Sequence, residues 1–282
     1  MPTFEITAAS ADDIDMLGEW AHAEGWNPGR TDSHAFFAAD PRGFLIGRLD
    51  GEPVSSVSVV RYGSGHGFLG FYLTRPELRG RGYGIQVWRA GMDRLAGRNV
   101  GLDGVVAQQP NYRKSGFLPA WTNMRWVGRP VAGVTTPPGV RLVDGRSLPF
   151  DRLAGYDRRF FPAERDSFLA PWISAPRRSA LAAVSDGELC GFAVLRPCRT
   201  ASRIGPLHAA SPGVAAALVS ALAATAPDAE IAIDVPDINP PAVRLAEQLG
   251  LTPSFETARM YTGPVPDVDH TGLFGITSLE LG

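Results

Sequence analysis

Apolar runs and the turns between them predict a hairpin, a third strand and a helix in the first half of the chain. The runs 44–49 and 54–62 flank an Asp50-Gly51 pair, which favours a tight β-hairpin turn. The run 68–74 predicts the next strand, and residues 100–102 predict a return to the sheet. Between these two strands a helical pattern presents one apolar face and stops at Gly97; that face comprises Ile85, Trp88, Met92 and Leu95.

The same order of elements recurs in the second half. Residues 181–184 and 191–196 flank another Asp-Gly turn, and the run 204–207 corresponds to the earlier strand 68–74. A helix from Pro212 and a short strand at 231–233 complete the second copy. The stretch 128–139 between the copies has the proline and glycine density of a linker. We therefore predict two domains of ordinary size, 1–134 and 140–282.

Composition and charge exclude several classes of protein. The 282 residues are 44% hydrophobic and 20% charged, as in a soluble globular protein, and the net charge of -2 argues against general nucleic-acid binding. The N-terminus lacks the features of a signal peptide, and the most apolar stretch, 214–226, is too short to span a bilayer. Cys190 and Cys198 are too few for a disulfide scaffold or a zinc site. We expect a cytoplasmic protein with no metal, nucleic-acid or membrane partner; the sequence leaves a homodimer open.

The most informative motif is Arg79-Gly80-Arg81-Gly82-Tyr83-Gly84, which lies between the strand 68–74 and the helix. Such a turn points backbone N–H groups and the positive end of a helix dipole at one spot, which suits a phosphate. A dinucleotide-binding turn is one alternative, but it needs glycines two and then three positions apart. A flexible turn in a chain with 32 glycines is the other. The ordered succession of strand, proline, arginines, glycines and helix favours the phosphate site.

Together with the preceding Thr74-Arg75-Pro76, this motif resembles the pyrophosphate-binding turn of the GNAT superfamily, the N-acetyltransferases that use acetyl-CoA. The resemblance implies an α/β (α+β) fold of two GNAT-like domains, each a mixed, mostly antiparallel twisted sheet flanked by helices. It also implies that residues 79–84 bind the pyrophosphate. Backbone groups of Tyr72, Leu73 and Thr74 would hold the pantetheine and polarise the thioester carbonyl.

Tyr112 is the predicted proton donor. It stands four residues before the Gly116-Phe117 pair, which is the spacing of the GNAT residue that protonates the leaving thiolate. A packing tyrosine with a solvated hydroxyl is the alternative. The asparagine often found seven residues earlier in the family is replaced by Val105, and Asn111 is the residue that could take over its contact with pantetheine.

An acceptor site is predicted in the segment from Trp20 to Asp32, where GNAT proteins usually place acceptor-binding helices and loops. Trp20, Glu24 and Trp26 would form an aromatic and acidic surround for a cationic amine, with Glu24 or Asp32 as a base acting through water. Asn27 belongs to the same Glu24–Gly29 segment. The alternative is a helix end followed by an Asn-Pro-Gly turn, with its tryptophans in the core.

The whole chain also resembles tandem GNAT proteins with a YitH-like C-terminal domain. The matching segments are 24–29, 101–105, 111–117, 259–263 and the ending 275–282. The second copy has Ala246 at the tyrosine position and lacks the arginine-glycine turn, so we predict a degenerate domain that walls the acceptor pocket. The sequence thus predicts an acetyl-CoA-dependent N-acetyltransferase acting on a small primary amine by direct transfer in a ternary complex. A protein lysine or N-terminal acetyltransferase and a non-catalytic acyl-CoA sensor are the alternatives.

Overall fold

The computed structural model describes residues 2–131 and 133–282. Its helices are α1 Ala11–Ala23, α2 Asp32–Ala39, α3 Tyr83–Arg94, α4 Gln109–Lys114, α5 Phe150–Asp157, α6 Asp166–Ser174, α7 Pro212–Ala224 and α8 Pro240–Gln248. Its strands are β1 Phe4–Ala8, β2 Phe44–Leu49, β3 Glu52–Tyr62, β4 His66–Thr74, β5 Asn99–Val105, β6 Leu118–Gly128, β7 Val140–Asp144, β8 Ser179–Ser185, β9 Glu188–Arg196, β10 Ser202–Ala209, β11 Ile231–Pro236, β12 Thr252–Tyr261 and β13 Leu273–Gly275.

The local predictions are confirmed for the first hairpin and corrected for one face of a helix. Strands β2 and β3 pair antiparallel through Asp50 and Gly51, whose φ angles of 51° and 87° are those of a tight hairpin turn. Helix α3 buries Val87, Trp88 and Gly91, whereas Ile85 is 42% exposed, so its predicted place on the buried face was wrong. The side of α3 that carries Gly91 faces β3, because a side chain at position 91 would keep the helix from approaching the strand so closely.

The sheet has two copies of one plan, and the copies exchange their last strands. The 13-stranded sheet runs β1-β2-β3-β4-β5-β12-β6-β11-β10-β9-β8-β7, with β13 paired to β10. Two pairs of described strands are parallel, β4 with β5 and β10 with β11, and the other pairs are antiparallel. The predicted mixed, mostly antiparallel α/β fold is therefore confirmed. Strand β12 lies between β5 and β6, so each half completes its sheet with a strand from the other.

Each half has a point where its two parallel strands separate. Pairing of β4 with β5 stops at Leu69 and Leu102, and pairing of β10 with β11 stops at Ile204 and Ile233. In the second half, β13 fills the opening by pairing with Leu207 and His208 of β10. In the first half, the corresponding stretch of β4 has no strand partner on that side among the described residues.

An aromatic cluster joins the helices of the two halves. Phe36 on α2 stacks against Phe168 and Trp172 on α6, with ring centroids 6.5 and 5.9 Å apart. These three side chains are almost fully buried, so α1 and α2 are fixed against the second half as well as against their own sheet. The cluster positions the α1–α2 loop above the opening between β4 and β5.

Candidate active site

The turn before α3 is a cradle of backbone groups. Gly80 and Gly82 adopt φ angles of 77° and 85°, in the left-handed region that favours glycine. Gly82 caps α3 without a side-chain hydrogen bond to the helix, so side chains do not occupy the N–H groups of the first turn. At Gly84 a Cβ would lie 2.7 Å from Oγ1 of Thr74, which shows how closely the helix start packs against the end of β4. The turn can therefore present N–H groups and positive charge to an anion.

This turn forms one wall of a cleft of about 580 Å³, and most of the predicted site residues line it. They are Glu24, Trp26, Tyr72, Leu73, Thr74, Arg79, Gly80, Gly82, Tyr83, Gly84 and Tyr112. Leu78, Ile85, Val105, Ala107 and Gln108 complete the lining; Val105 stands at the position of the family's asparagine, and the sequence patterns assigned the other four no role in the site. Their only sequence signal is proximity to the glycine turn and to Tyr112.

Strand β4 bends at the floor of the cleft. Phe71 has a φ of 42°, and the pairing with β3 shifts register at this point, which is the signature of a β-bulge. The hydroxyl of Ser56 donates a hydrogen bond of 2.8 Å to the carbonyl oxygen of Phe71 and so holds the bend. Beyond the bulge, β4 pairs with β3 on one side and borders the cleft on the other.

Tyr112 enters the same cleft from α4. Its ring stacks on Trp88 with centroids 5.5 Å apart, and Trp88 also packs against Tyr72 at 4.9 Å. Gly104 makes room for the ring, because a Cβ there would lie 2.8 Å from Cδ2 of Tyr112. Burial raises the pKa of Tyr112 above its usual value of 10, so the phenol stays protonated at neutral pH.

The acidic residue of the cleft is paired with the arginine of the turn. The carboxylate of Glu24 accepts a hydrogen bond from Nη2 of Arg79, and Nε of Arg79 donates a second bond of 3.0 Å to the carbonyl oxygen of Thr74. The two side chains remain 32% and 50% exposed. Trp26 lies beside them, and its carbonyl oxygen accepts a hydrogen bond of 2.8 Å from the buried Arg125. These contacts fix the α1–α2 loop at the rim.

The other predicted site residues lie outside this cleft. Asn111 is exposed and donates a hydrogen bond of 2.9 Å to Gln108, Arg81 is exposed, and Trp20 packs against the outer side of the β4 end. Asn27 accepts hydrogen bonds from the backbone N–H groups of Arg199 and Thr200, which ties the α1–α2 loop to the second half.

Asp32 is buried inside the protein. It is 2% exposed and pairs with Arg178 at 2.7 Å and Arg196 at 3.3 Å, both from the second half. It also borders a separate cleft of about 710 Å³ on the other side of Phe71. Two buried cations hold this carboxylate, which is the arrangement of a structural ion pair.

The C-terminal segment 276–282 matched the tandem GNAT proteins in sequence, but the sequence patterns did not place it at the site. It is buried throughout and lies along β4, where the carbonyl of Glu280 leaves no room for a Cβ at Gly70. Its apolar residues, Ile276, Leu279 and Leu281, were a sequence signal of burial.

In the described parts of the chain, no three His, Cys, Asp or Glu side chains are grouped as a metal ion would require. None of the helices within residues 2–131 and 133–282 is long and apolar enough to cross a bilayer.

Comparison with known proteins gives matches in both halves. Residues 11–117 match a model described as the acetyltransferase (GNAT) family, and residues 153–275 match one described as an acetyltransferase (GNAT) domain. The chain is 32% identical to holothin acyltransferase of Pseudoalteromonas sp. (strain SANK 73390), over 99% of this chain and 95% of that protein.

Two solved structures share the fold of the whole chain. A candidate acetyltransferase from Pyrococcus horikoshii superposes with a TM-score of 0.81 at 22% identity, covering 99% of this chain and 96% of that one. A tandem GNAT protein from the clavulanic acid biosynthesis pathway superposes with a TM-score of 0.64 at 18% identity, covering 93% of this chain and 100% of that one.

Proposed function

Because the chain belongs to the GNAT acetyltransferases and is a tandem acyltransferase of that family, we propose that it transfers the acetyl group of acetyl-CoA to a small primary amine. The observation that carries the proposal is the cleft between the glycine turn, the free side of β4 and Tyr112. Acetyl-CoA would supply the activated acyl group as a thioester. The residues of the cleft would bind it and supply a proton.

The cleft suits the donor at both ends. Gly80 and Gly82 leave their backbone open to an anion, and Arg79 adds a cation within reach of the same turn. The backbone of Tyr72, Leu73 and Thr74 borders the cleft where β5 has diverged, which leaves polar groups for an extended pantetheine arm. We propose no contact for Asn111, because its side-chain amide is engaged with Gln108.

Tyr112 is the proposed proton donor to the departing thiolate. Its hydroxyl stays protonated because burial raises its pKa, and its ring is fixed by Trp88. A phenol is a weak acid, so position decides whether it can protonate a thiolate whose conjugate thiol has a pKa of about 8.5. The base role predicted for Glu24 remains a prediction, and its ion pair with Arg79 gives it a second use in positioning the turn.

Direct transfer in a ternary complex is supported by the residues of the cleft. The side chains that line it in the described part of the chain include no cysteine, serine or histidine, and both cysteines lie in the second half. A covalent acyl-enzyme needs a nucleophile activated by a base; the hydroxyl of Thr74 has no histidine beside it in this described lining, and the carboxylate of Glu24 is paired with Arg79. We therefore propose that the amine attacks the thioester without an intermediate on the protein.

The second half is proposed to be a degenerate copy, within the predicted boundaries of 1–134 and 140–282. Ser211 caps α7 with its side chain, and Pro212 removes an N–H from the first turn, so this helix start is closed to an anion. Strand β13 fills the opening that corresponds to the donor cleft. The second half instead supplies buried arginines to the region above the first site: Arg203 donates a hydrogen bond to the carbonyl oxygen of Asn27, and Arg178 pairs with Asp32.

A release assay for the CoA thiol tests the proposed function. The assay uses acetyl-CoA with a panel of small primary amines that includes holothin, because a 32% identical relative is named for acylating it. Release of CoA with at least one small amine supports the proposal. Binding of acetyl-CoA without release of the CoA thiol would indicate a sensor. Release of the CoA thiol only with lysine peptides or peptide N-termini would indicate that the acceptor is a protein.

A further inference from the structure

A narrow cavity joins the donor cleft where β4 and β5 separate. It is lined by both strands, by β12 and by the C-terminal segment, and it shares Trp26, Tyr72 and Tyr112 with the donor cleft. Its volume is about 30 Å³, which is room for one group of the size of water. Whatever enters this cavity therefore meets the tyrosine proposed to protonate the leaving thiolate.

Two buried polar side chains of the cavity lack hydrogen bonds. Glu280 is 1% exposed, and neither of its carboxylate oxygens has a hydrogen-bond partner among the described residues. Thr257 is equally buried, and its Oγ1 is likewise without a partner in that part of the chain. Buried polar groups are rarely left in this state, since a buried group without a hydrogen bond has lost its contacts with water and gained none in return. The cavity therefore favours a ligand that donates hydrogen bonds.

The arginines near Glu280 leave its carboxylate oxygens without hydrogen bonds from the described residues. Its closest cationic atom is Nη1 of Arg203, at 3.6 Å, beyond hydrogen-bond distance. Arg203 is already paired with Asp234, which is also held by Arg125 at 2.7 Å. Arg125 and Arg203 together face the two acids, but their N–H groups bond to Asp234 and to the carbonyl oxygens of Trp26 and Asn27, so both Glu280 oxygens remain able to accept hydrogen bonds from a ligand in the cavity.

We propose that Glu280 receives the ammonium group of the acceptor amine and takes a proton from it, in the cavity between β4 and β5. The proposal rests on the proposed acetyl transfer and names the residue that prepares its nucleophile. Apolar walls at Phe71, Leu102 and Phe255 exclude water from this pair, and Thr257 can accept a second N–H hydrogen bond. A larger acceptor would leave the rest of its structure outside this narrow cavity.

The proton steps balance over one cycle. Glu280 takes one proton from the ammonium, which leaves a neutral amine able to form the new N–C bond. Tyr112 gives its proton to the thiolate sulfur as the C–S bond breaks, and the amine nitrogen loses its second proton, which restores the phenol. Glu280 then releases its proton to solvent. One ammonium ion and one thioester thus give one amide, one thiol and one free proton.

The test uses two acceptors small enough for the cavity. Methylamine is almost wholly cationic at pH 7 and needs a base, whereas hydroxylamine is largely uncharged and does not. CoA thiol release is measured for the full chain with each amine, above the rate without protein, for the native protein and for Glu280→Gln, Glu280→Asp and Glu256→Gln. Glu256 is an exposed acid on β12 and serves as the matched control. Calorimetry with acetyl-CoA tests the donor site separately.

We expect Glu280→Gln to lower kcat/KM for methylamine by about 10²-fold or more, while hydroxylamine transfer and acetyl-CoA affinity stay nearly unchanged. Glu280→Asp should recover part of the methylamine activity, and Glu256→Gln should behave as the native protein. Equal loss with both amines would make Glu280 a structural residue and overturn the proposal. Glu24→Gln is measured in the same assay, and the proposal would also be overturned if this variant lost methylamine transfer while Glu280→Gln kept it. It would be overturned as well if the native protein bound acetyl-CoA but acetylated neither amine. Absence of acetyl-CoA binding would instead refute the proposed function.

Discussion

Replacing Tyr112 by phenylalanine should separate the catalytic from the packing role of this side chain. The ring would keep its stacking on Trp88 and its place beside Gly104, since only the hydroxyl is removed. A volume-conserving change of this kind usually costs less than about 1.5 kcal/mol of unfolding free energy. The folded protein and its donor cleft should therefore survive the substitution.

The expected effect on turnover is much larger. General acid catalysis contributes about 10²–10⁴-fold, so Tyr112→Phe should lower kcat by about 10²-fold or more, which corresponds to roughly 2.7 kcal/mol of activation free energy. Acetyl-CoA affinity should stay nearly constant, because the proton is needed only in the transition state. Since burial raises the pKa of Tyr112, the native phenol should stay protonated throughout the neutral range, and its position must make up for its weak acidity.

Single-turnover release of CoA thiol, under conditions where chemistry limits the rate, is the appropriate assay. The deficit should shrink above about pH 8.5, because a thiolate then leaves without needing a proton. Tyr156→Phe is a matched control: Tyr156 is a buried tyrosine of the second half whose hydroxyl has no hydrogen-bond partner among the described residues. If the Tyr112→Phe variant keeps most of its kcat, then Tyr112 has only a packing role and the proposed proton donation is wrong.

Two further substitutions test the turn and the buried acid. Gly82→Val should weaken acetyl-CoA binding by more than about tenfold in calorimetry, whereas the control Gly97→Val should not. Both glycines have left-handed backbones with open space around them, so each change costs a similar backbone strain of about 1–2 kcal/mol. Equal acetyl-CoA affinities in the two variants would contradict the role of the turn. Asp32→Asn should lower the unfolding free energy by about 3 kcal/mol or more in denaturant titrations, because it leaves Arg178 and Arg196 without their carboxylate. The control Glu164→Gln, at an exposed acid, should change stability little. An Asp32→Asn protein of native stability would contradict the structural role of this carboxylate.

Local patterns predicted much of the fold because each depends on neighbours in sequence. The hairpin at Asp50-Gly51 and the glycine turn before α3 were identified from turn chemistry and strand-to-helix order, and the structure has both. The burial of α3 was mispredicted at Ile85, because close approach at Gly91 depends on β3 and not on helical periodicity alone.

Features that depend on distant pairing were out of reach. The sequence patterns predicted neither β6 nor β12, and they carry no sign that each of these strands completes the sheet of the other half. The exchange also means that a cut near residue 135 would separate β6 from its partners β11 and β12. The cavity beside Glu280 is likewise built from six separate segments, which come together only once the chain has folded.

Titration of the full chain with acetyl-CoA tests directly whether the chain has one donor site and whether that site lies in its first half. The open glycine turn and the free side of β4 occur in the first half, while Pro212, the Ser211 cap and β13 close the corresponding place in the second. Calorimetry should therefore give one acetyl-CoA per chain, with binding abolished or strongly weakened in Gly82→Val. Two equivalent sites per chain, or one site that is indifferent to Gly82→Val, would contradict the account.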